Sequence, residues 1–432
     1  MAVEPDWSPQ PVSVGAFAAT MARLEPFEPQ PLLAVAVSGG PDSMALAMLA
    51  SDWARQRGGS VHAILIDHGL RAESEDEVRI ASDALSARGI ETTIERLSGP
   101  APRNGKPAWA RQERYKSLMM TTHRLGALHL LTGHHRDDQA ETFILNLERG
   151  SGVKGLSGMA ANRGVGSARI IRPLLNFSKA QLHSTALMYG LPVAHDPSNQ
   201  DFRYSRTRVR AQLDNLEIRR LADTSARLAN EDIALELAVS NLAANALTIT
   251  PLGEATITMK KMAEAPAVIA LRLFTRIAHA IGGRETPPRQ ERAEAALNQI
   301  ISKTKSKLTL GSAIITRVED RLNFRKELGK NPLPEITSPG HWDGRFDVSV
   351  YPFWPENCVV RGLGYEGLRQ LESSNAKNRL YGSTPRSVLA VAPALWREKQ
   401  LLIGPSLAGE FVRIDQTYLQ ISFRPRRPIA PC

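Results

Sequence analysis

Hydrophobic positions along the chain follow two periods that alternate. Residues 32–37 (Leu-Leu-Ala-Val-Ala-Val) form an unbroken apolar run that ends in Ser-Gly-Gly. Residues 61–66 form a second, largely apolar run ending in Asp-His-Gly, and residues 127–132 a third ending in Gly-His-His. The Thr-Thr-Ile within 91–96 adds a further β-prone segment. Mostly apolar runs of this length suit strands buried on both faces. Helical periodicity fills the intervals, over 42–57, 74–88, 108–125 and 138–149, and three of these stop at Gly58, Gly89 and Gly150. Ser74 with Glu77 reads as a capping box. Strands alternating with helices predict an α/β fold, a parallel sheet with helices on both faces. In such sheets ligands sit at the carboxyl ends of the strands. All three polar strand-end motifs fall there.

The flanks read differently. Residues 1–30 are a lead-in with one short helix over 14–24. After Gly150 the chain loosens into a Gly/Ser-rich stretch, 151–168. A strand is predicted over 170–175, and a helix over 178–190 opened by a Ser178/Gln181 capping box. A polar, basic loop spans 195–210, and a long helical pattern runs from 211 to 247. Residues 250–328 read as a small mixed domain with helices over 265–281 and 288–302 and a strand-like stretch over 307–326. A Pro-rich linker follows at 332–340. Beyond it, short strands and turns surround Trp342, Trp354 and Trp396, enough large side chains to seed a separate core. The predicted order is a lead-in (1–30), a nucleotide domain (31–215), a helical connector (216–249), a middle domain (250–331) and a C-terminal domain (341–432).

Composition narrows the class. Of 432 residues, 42% are hydrophobic and 23% charged, which excludes a wholly disordered, collagen-like or disulfide-stapled chain. No apolar run approaches the ~20 residues of a membrane helix, and the first residues lack the apolar stretch of a signal peptide. Two cysteines, Cys358 and Cys432, cannot by themselves make a paired-CxxC zinc site or an iron–sulfur cluster. They fit a reducing compartment, so a cytoplasmic location is expected. With 54 Lys+Arg against 44 Asp+Glu and a pI near 9.7, an anionic partner is expected, nucleic acid first.

Ser38-Gly39-Gly40-Pro41-Asp42-Ser43 lies between a buried strand and a helix. Small residues let backbone N–H groups approach an anion, and the helix N-terminus favours negative charge. Asp42 beside bound phosphates would be repelled unless a cation intervened, which implies Mg²⁺. The six residues lack the GxxxxGK[ST] pattern of a Walker A loop. Further on, Asp138 and Glu141 stand three apart at a helix start and share a face with each other. Such a pair can hold a metal or bind the ammonium group of an amino acid. Arg111 and Arg114 are likewise three apart on one helix, suited to the charge of departing pyrophosphate. Arg203, Arg206, Arg208 and Arg210 cluster around Tyr204, a pattern that pairs with phosphates and stacks on bases.

The segment Ala36–Leu46, AVSGGPDSMAL, resembles the pyrophosphatase loop of the N-type ATP pyrophosphatases. These enzymes cleave ATP between the α and β phosphates, adenylate a substrate oxygen and let a nucleophile displace AMP. Asp67-His68-Gly69-Leu70-Arg71 and Gly133-His134-His135-Arg136-Asp137-Asp138-Gln139-Ala140-Glu141-Thr142 resemble the motifs of the tRNA(Ile)-lysidine synthetase family within that group. Arg172-Pro173-Leu174-Leu175 and Asp196-Pro197-Ser198-Asn199 follow in the same order. The resemblance covers about 30–215. It implies ATP and Mg²⁺ as cofactors, and as substrates free L-lysine and an isoleucine tRNA with a CAU anticodon. The implied ATP ligands are Ser38, Gly39, Gly40, Pro41, Asp42, Ser43, His68, Arg71 and Arg114. The implied catalytic residues are Asp42, Arg111, His134 and Asp138, with Asp42 and Asp138 on metal, Asp138 and Glu141 on lysine, and Arg203, Arg206, Arg208 and Arg210 on tRNA. Arg206-Thr207-Arg208 departs from the family's usual Arg-Asn-Arg. The resemblance extends in character to the middle domain (250–331) and implies that it binds tRNA. Beyond 341 the family's C-terminal Gly-Asp-Arg signature is not found, and 379–386 with 393–397 stands as a divergent counterpart, through which tRNA acceptor-stem contact by the C-terminal domain (341–432) is the expectation. A tRNA thiolase of the same superfamily is the alternative. Thiolases generally use cysteine pairs or a cluster, and both cysteines here lie outside the ATP domain. A non-catalytic nucleotide- and RNA-binding protein is the third reading.

Overall fold

The computed structural model describes residues 9–67, 73–97, 106–166, 168–192, 208–209, 212–303, 305–329, 331–351, 353–373, 382, 384–405, 413–414, 417–426 and 428–429. The chain forms two compact units, Met1–Asp232 and Ile233–Cys432. Among the described residues no helix is long and apolar enough to cross a membrane.

The first unit contains strands β1 (Leu32–Val37), β2 (Ser60–Asp67), β3 (Glu91–Arg96), β4 (His129–Thr132), β5 (Asn162–Val165) and β6 (Ala168–Ile171). Its helices are α1 (Val14–Ala22), α2 (Pro41–Arg55), α3 (Glu73–Ser86), α4 (Lys106–Arg124), α5 (Arg136–Glu148), α6 (Val153–Leu156) and α7 (Lys179–Met188). The strands form one sheet in the order β3-β2-β1-β4-β6-β5. The first five of these pair in parallel, and β5 is antiparallel to β6. The expected α/β sheet is therefore present. β1 lies at its centre, and alternate residues serve two cores: Leu33, Val35 and Val37 face the cluster around α2 and Trp53, while Ala34 joins Ile64, Leu118 and Leu130 on the other face. This double burial is why the β1 segment is apolar at every position.

Two details depart from the sequence reading. The loosened stretch 151–168 holds α6 and β5. β5 is an exposed edge strand, Asn-Arg-Gly-Val, with no apolar alternation, so only its pairing with β6 defines it. The strand expected over 170–175 ends at Ile171, because Pro173 has no N–H to continue a ladder. The Ser178 capping box forms as expected, at the start of α7. The Ser74 side chain lies outside the described residues.

Helix α8 (Asn215–Ala246) carries the chain from the first unit into the second. There, β7 (Leu247–Ile249), β8 (Ala255–Thr258), β9 (Lys305–Leu310), β10 (Ala313–Val318) and β11 (Arg321–Lys326) make an antiparallel sheet in the order β7-β8-β11-β10-β9. Helices α9 (Met259–Glu264), α10 (Ala267–Gly282) and α11 (Gln290–Ile301) accompany it, with Phe274 packed edge-on to Phe324. The remaining strands are β12 (Gly340–Trp342), β13 (Phe346–Tyr351), β14 (Cys358–Gly362), β15 (Pro393–Arg397), β16 (Gln400–Ile403), β17 (Arg413–Ile414) and β18 (Thr417–Phe423), with helices α12 (Gly364–Ser373) and α13 (Arg386–Leu389). They form two small sheets, β12-β13-β18-β17 and β14-β15-β16. Trp342 and Trp396 are fully buried in separate clusters.

A buried ionic node joins these parts of the second unit. Arg345 has no solvent exposure. Its Nε donates to Asp343 Oδ2 at 2.7 Å, its Nη2 donates to the Val391 carbonyl at 2.6 Å, and its guanidinium lies 4.9 Å from the Phe346 ring centre. Lys326 Nζ stands 3.5 Å from Asp343 Oδ1 and donates to the Gly282 carbonyl at 2.6 Å. Gly283 and Gly344 both take left-handed φ angles, +65° and +67°, and a Cβ on either would come within 2.3 Å of a facing carbonyl oxygen. Removing one partner of a buried, hydrogen-bonded pair costs about 3–5 kcal/mol. Arg345→Met is expected to destabilise the second unit by that order, read as a lower denaturant midpoint in tryptophan fluorescence. An unchanged midpoint would show that the node contributes nothing.

Candidate functional site

The strand order reverses at β1. The chain steps outward from β1 to β2 and β3, then returns to lay β4 on the other side. The loops leaving β1 and β4 therefore splay apart and open a crevice at their carboxyl ends. The loop after β1 is held by its own serines. Ser38 N–H donates to Ser43 Oγ at 3.1 Å, Ser43 Oγ donates to the Gly40 carbonyl at 3.0 Å, and the two hydroxyls lie 3.2 Å apart. Gly39 has φ +81°, which favours glycine. Gly40 is the N-cap of α2 and brings no side chain to its orphan N–H groups, and Pro41 occupies the first turn. The result is an anion-receptive helix start.

Gly133 permits the second loop to approach. A Cβ there would lie 3.2 Å from Ser43 Cα and 3.3 Å from its nitrogen. Next to it, His134 Nδ1 is 3.0 Å from Thr132 Oγ1. Burial is the main influence on His134 and lowers its pKa to about 4; Arg172, Arg111 and Arg114 push the same way, and Asp138 opposes. His134 is thus a neutral imidazole at neutral pH.

His135, 3% exposed, is the opposite case. Its Nε2 lies 3.5 Å from Asp42 Oδ2 and 3.6 Å from Asp138 Oδ2, and its Nδ1 lies 3.7 Å from Asp137 Oδ2. Burial disfavours its charge, but Asp137, Asp42 and Asp138 outweigh burial and raise its pKa to about 10. Burial raises Asp137, and this is outweighed by His135, the Lys179 N–H at 3.1 Å and Arg136, so its pKa falls. Asp138 is also the third residue of α5, and its Oδ2 accepts the His135 backbone N–H at 3.0 Å in a capping box. Glu141 follows on the same face, 2% exposed.

A cavity of about 180 Å³ occupies the crevice. Its lining mixes polar groups, Ser38, Gly40, Asp42, Ser43, His134 and Arg114, with the larger side chains Ile64, Ile66, Leu118 and Tyr115. Such a lining offers N–H groups and a cation to phosphates and apolar surface to a base. Arg111 is exposed on α4, one turn before Arg114, and both guanidiniums lie within 6 Å of the Tyr115 ring centre (5.6 and 5.8 Å).

A family model for the PP-loop domain matches residues 16–217. A tRNA(Ile)-lysidine synthase from Rhodopseudomonas palustris is 35% identical over 331 residues, covering 71% of this chain and 94% of that protein. Another, from Ruegeria pomeroyi, is 31% identical over 387 residues, covering 88% and 90%. This chain belongs to the tRNA(Ile)-lysidine synthase family. A third relative, from Bradyrhizobium diazoefficiens, is 43% identical over 214 residues, 48% of this chain and 59% of that protein. The chain is accordingly an enzyme of the lysidine synthase type, with an ATP-binding PP-loop domain.

Of the residues that sequence pointed to, Ser38, Gly40, Asp42, Ser43, Arg114 and His134 meet at the cavity. Gly39 and Pro41 shape its loop, and Asp138 is linked to Asp42 through His135. Arg208 is exposed and does not line the cavity. His68, Arg71, Arg203, Arg206 and Arg210 lie outside the described residues. Sequence reasoning gave His135 no role, although its place just before Asp137-Asp138 was a usable signal. It also gave none to Arg172, buried near His134, whose Nη1 donates to the Ala160 carbonyl at 2.7 Å.

The two histidines make opposite predictions in metal- and nucleotide-free protein. His135 has a folded pKa above its ordinary value of 6.5, so its contribution to stability is complete below about 6.5 and is lost as pH rises through about 10. His134 has a depressed value, so it costs stability as pH falls from 6.5 towards 4. Imidazole nitrogen shifts are expected to show His135 protonated and His134 neutral throughout pH 6–8. The reverse pattern would refute this reading of the site.

Proposed function

We propose that this chain converts the wobble cytidine of an isoleucine tRNA with a CAU anticodon into lysidine. ATP lies with its base against Ile64 and Ile66 and its phosphates at the start of α2. The cytidine, splayed from its loop, presents its 2-oxo oxygen to the α-phosphorus. A P–O bond forms there, the bond to the β-phosphate oxygen breaks, and pyrophosphate leaves. The ε-amine of lysine then attacks C2, the C–O bond to AMP breaks, and AMP leaves with the oxygen.

Charge supports the residue roles, and place supports them for the described residues. His134, neutral, hydrogen-bonds the reacting α-phosphate. Arg114, with Arg111 behind it, stabilises the pyrophosphate oxygens as they gain charge. Asp138 and Glu141 receive lysine and the proton its amine must lose. Arg203, Arg206, Arg208 and Arg210 contact tRNA phosphates. Asp42 Oδ1 is buried and makes no hydrogen bond among the described residues, which fits a carboxylate reserved for a cation. Among those residues no three-ligand metal cage occurs, and Mg²⁺ characteristically takes one or two carboxylates and completes its shell with phosphates and water. Asp42 and Asp138 would hold Mg²⁺, which supplies charge neutralisation at the phosphates. The observation that carries the reading is the cavity that Asp42, Arg114 and His134 line together with Ile64 and Ile66.

The decisive experiment is labelled lysine transfer to tRNA lacking lysidine, with ATP and Mg²⁺, followed by mild alkali. Alkali strips aminoacyl esters but leaves a carbon–nitrogen bond to a base. ATP-dependent, alkali-stable label is the expected result. Its absence, with pyrophosphate still released, would redirect the reading to another nucleophile. Asp42→Asn is expected to slow pyrophosphate release by a factor on the order of 100 or more while tRNA affinity holds. Release at the parental rate would remove Asp42 from the metal assignment.

A further inference from the structure

Arg172 carries a buried charge that the nucleotide cavity does not use. It is 7% exposed and follows Ile171, the last residue of β6. In the sheet β6 lies beside β4, on the side away from β1, and Leu131 pairs with Ile171. Arg172 therefore leaves the sheet beside Thr132, where β4 leads into His134. Its charge acts on His134, yet Arg172 does not line the cavity. The polar groups at the strand ends thus continue past the cavity, from β1 through β4 to β6.

Negative charge is scarce around this guanidinium. Its Nη1 donates to the Ala160 carbonyl at 2.7 Å, whereas Nε is buried and has no acceptor among the described residues. Nε and Nη2 share the edge of a guanidinium that grips a carboxylate with two parallel bonds. Burial lowers the Arg172 pKa, Tyr115 opposes, and Arg163 and Arg111 push the same way as burial. The charged side chains that act on it most are therefore like charges. Among the described residues no carboxylate forms an ion pair with it. Buried charges are ordinarily paired, so the absent counter-charge is one that a ligand would bring.

The chemistry of the reaction selects the anion. The phosphates of ATP are served by the start of α2 and by Arg114. A tRNA phosphate arrives with its ribose neighbours and suits exposed cations, as Arg111 and Arg163 are. A buried recess suits the carboxylate of a small molecule. Asp138 and Glu141, the carboxylates assigned to an amine, stand on α5, which follows β4. A cation after β6 beside carboxylates on α5 fits a molecule that carries both a carboxylate and an amine. Selectivity requires such a reader. An adenylated cytidine accepts any primary amine that reaches C2, so amine chemistry alone does not separate lysine from a diamine. A site that pairs a substrate group rejects the analogue that leaves its own group unpaired. We propose that Arg172 holds the α-carboxylate of the amino-acid substrate and so admits lysine while excluding diamines. This inference rests on the lysidine-forming reading above and adds the residue that sets its amine selectivity.

The test is the ratio of kcat/KM for lysine to kcat/KM for cadaverine, the diamine left when lysine loses its carboxylate, measured with the full chain. Folding, adenylation and tRNA binding affect both amines alike, so the ratio is insensitive to them. The parental chain is expected to favour lysine at least ~100-fold. Arg172→Gln is expected to lower the lysine value on the order of 100-fold, through KM, while the cadaverine value holds. Arg172→Lys keeps the charge and loses the fork, and should retain part of the preference. A parental ratio in Arg172→Gln would overturn the proposal. Loss of pyrophosphate release by the folded variant with ATP and tRNA alone would assign the guanidinium to the nucleotide, and weaker tRNA binding at an unchanged ratio would assign it to RNA; either result overturns it. If Arg172→Gln does not fold, Arg172→Lys decides by the same ratio. A parental chain that transfers neither amine would instead overturn the functional reading on which the proposal stands.

Discussion

A buried imidazolium among three carboxylates ties the two halves of the ATP site together. His135 touches Asp42 from the loop after β1 and Asp137 and Asp138 from the start of α5. Three carboxylates this close would repel one another in a partly desolvated crevice. A cation held at their centre offsets that repulsion and aligns them without consuming every oxygen. Asp42 Oδ1 stays unbonded among the described residues, so the loop arrives at its ligand already shaped. His134, its neighbour in sequence, is driven neutral by burial and by three arginines. Two adjacent histidines thus differ in charge because burial, helped by guanidiniums, prevails at His134, while carboxylates outweigh burial at His135.

Sheet topology makes this contact possible. The reversal of strand order at β1 brings the loop after β4 beside the loop after β1, although about 95 residues of chain separate them, within the reach of the long crossovers parallel strands need. Gly133 then lets the two backbones close to van der Waals distance of Ser43. The second unit solves a different problem in a similar way. Its three small sheets meet around Arg345, Asp343 and Lys326, where glycines again allow carbonyls to approach. In both units the tightest points combine a buried charge set against an opposite one with a glycine that makes room.

Much of the first unit was readable from the residues in order. The apolar run of β1, the acidic start of α5, the capping box of α7 and the six-residue phosphate loop each carry a local cause, whether double burial, helix dipole, side-chain capping or small size. The edge strand β5 was not readable, since Asn162–Val165 has no periodicity and its conformation comes from pairing with β6. The division of labour between His134 and His135 was equally hidden. Adjacent histidines look alike in sequence, and only the positions of Asp42, Arg114 and Arg172 around them separate their charge.

The sequence by itself determined most elements of the parallel sheet and its helices, the fold class, the family and the identity of the phosphate loop, because these depend on local propensity and on motifs contiguous in the chain. The tertiary structure alone decided which side chains share a cavity and which histidine carries a proton. Those properties depend on distance and burial, and residues far apart in the chain set both.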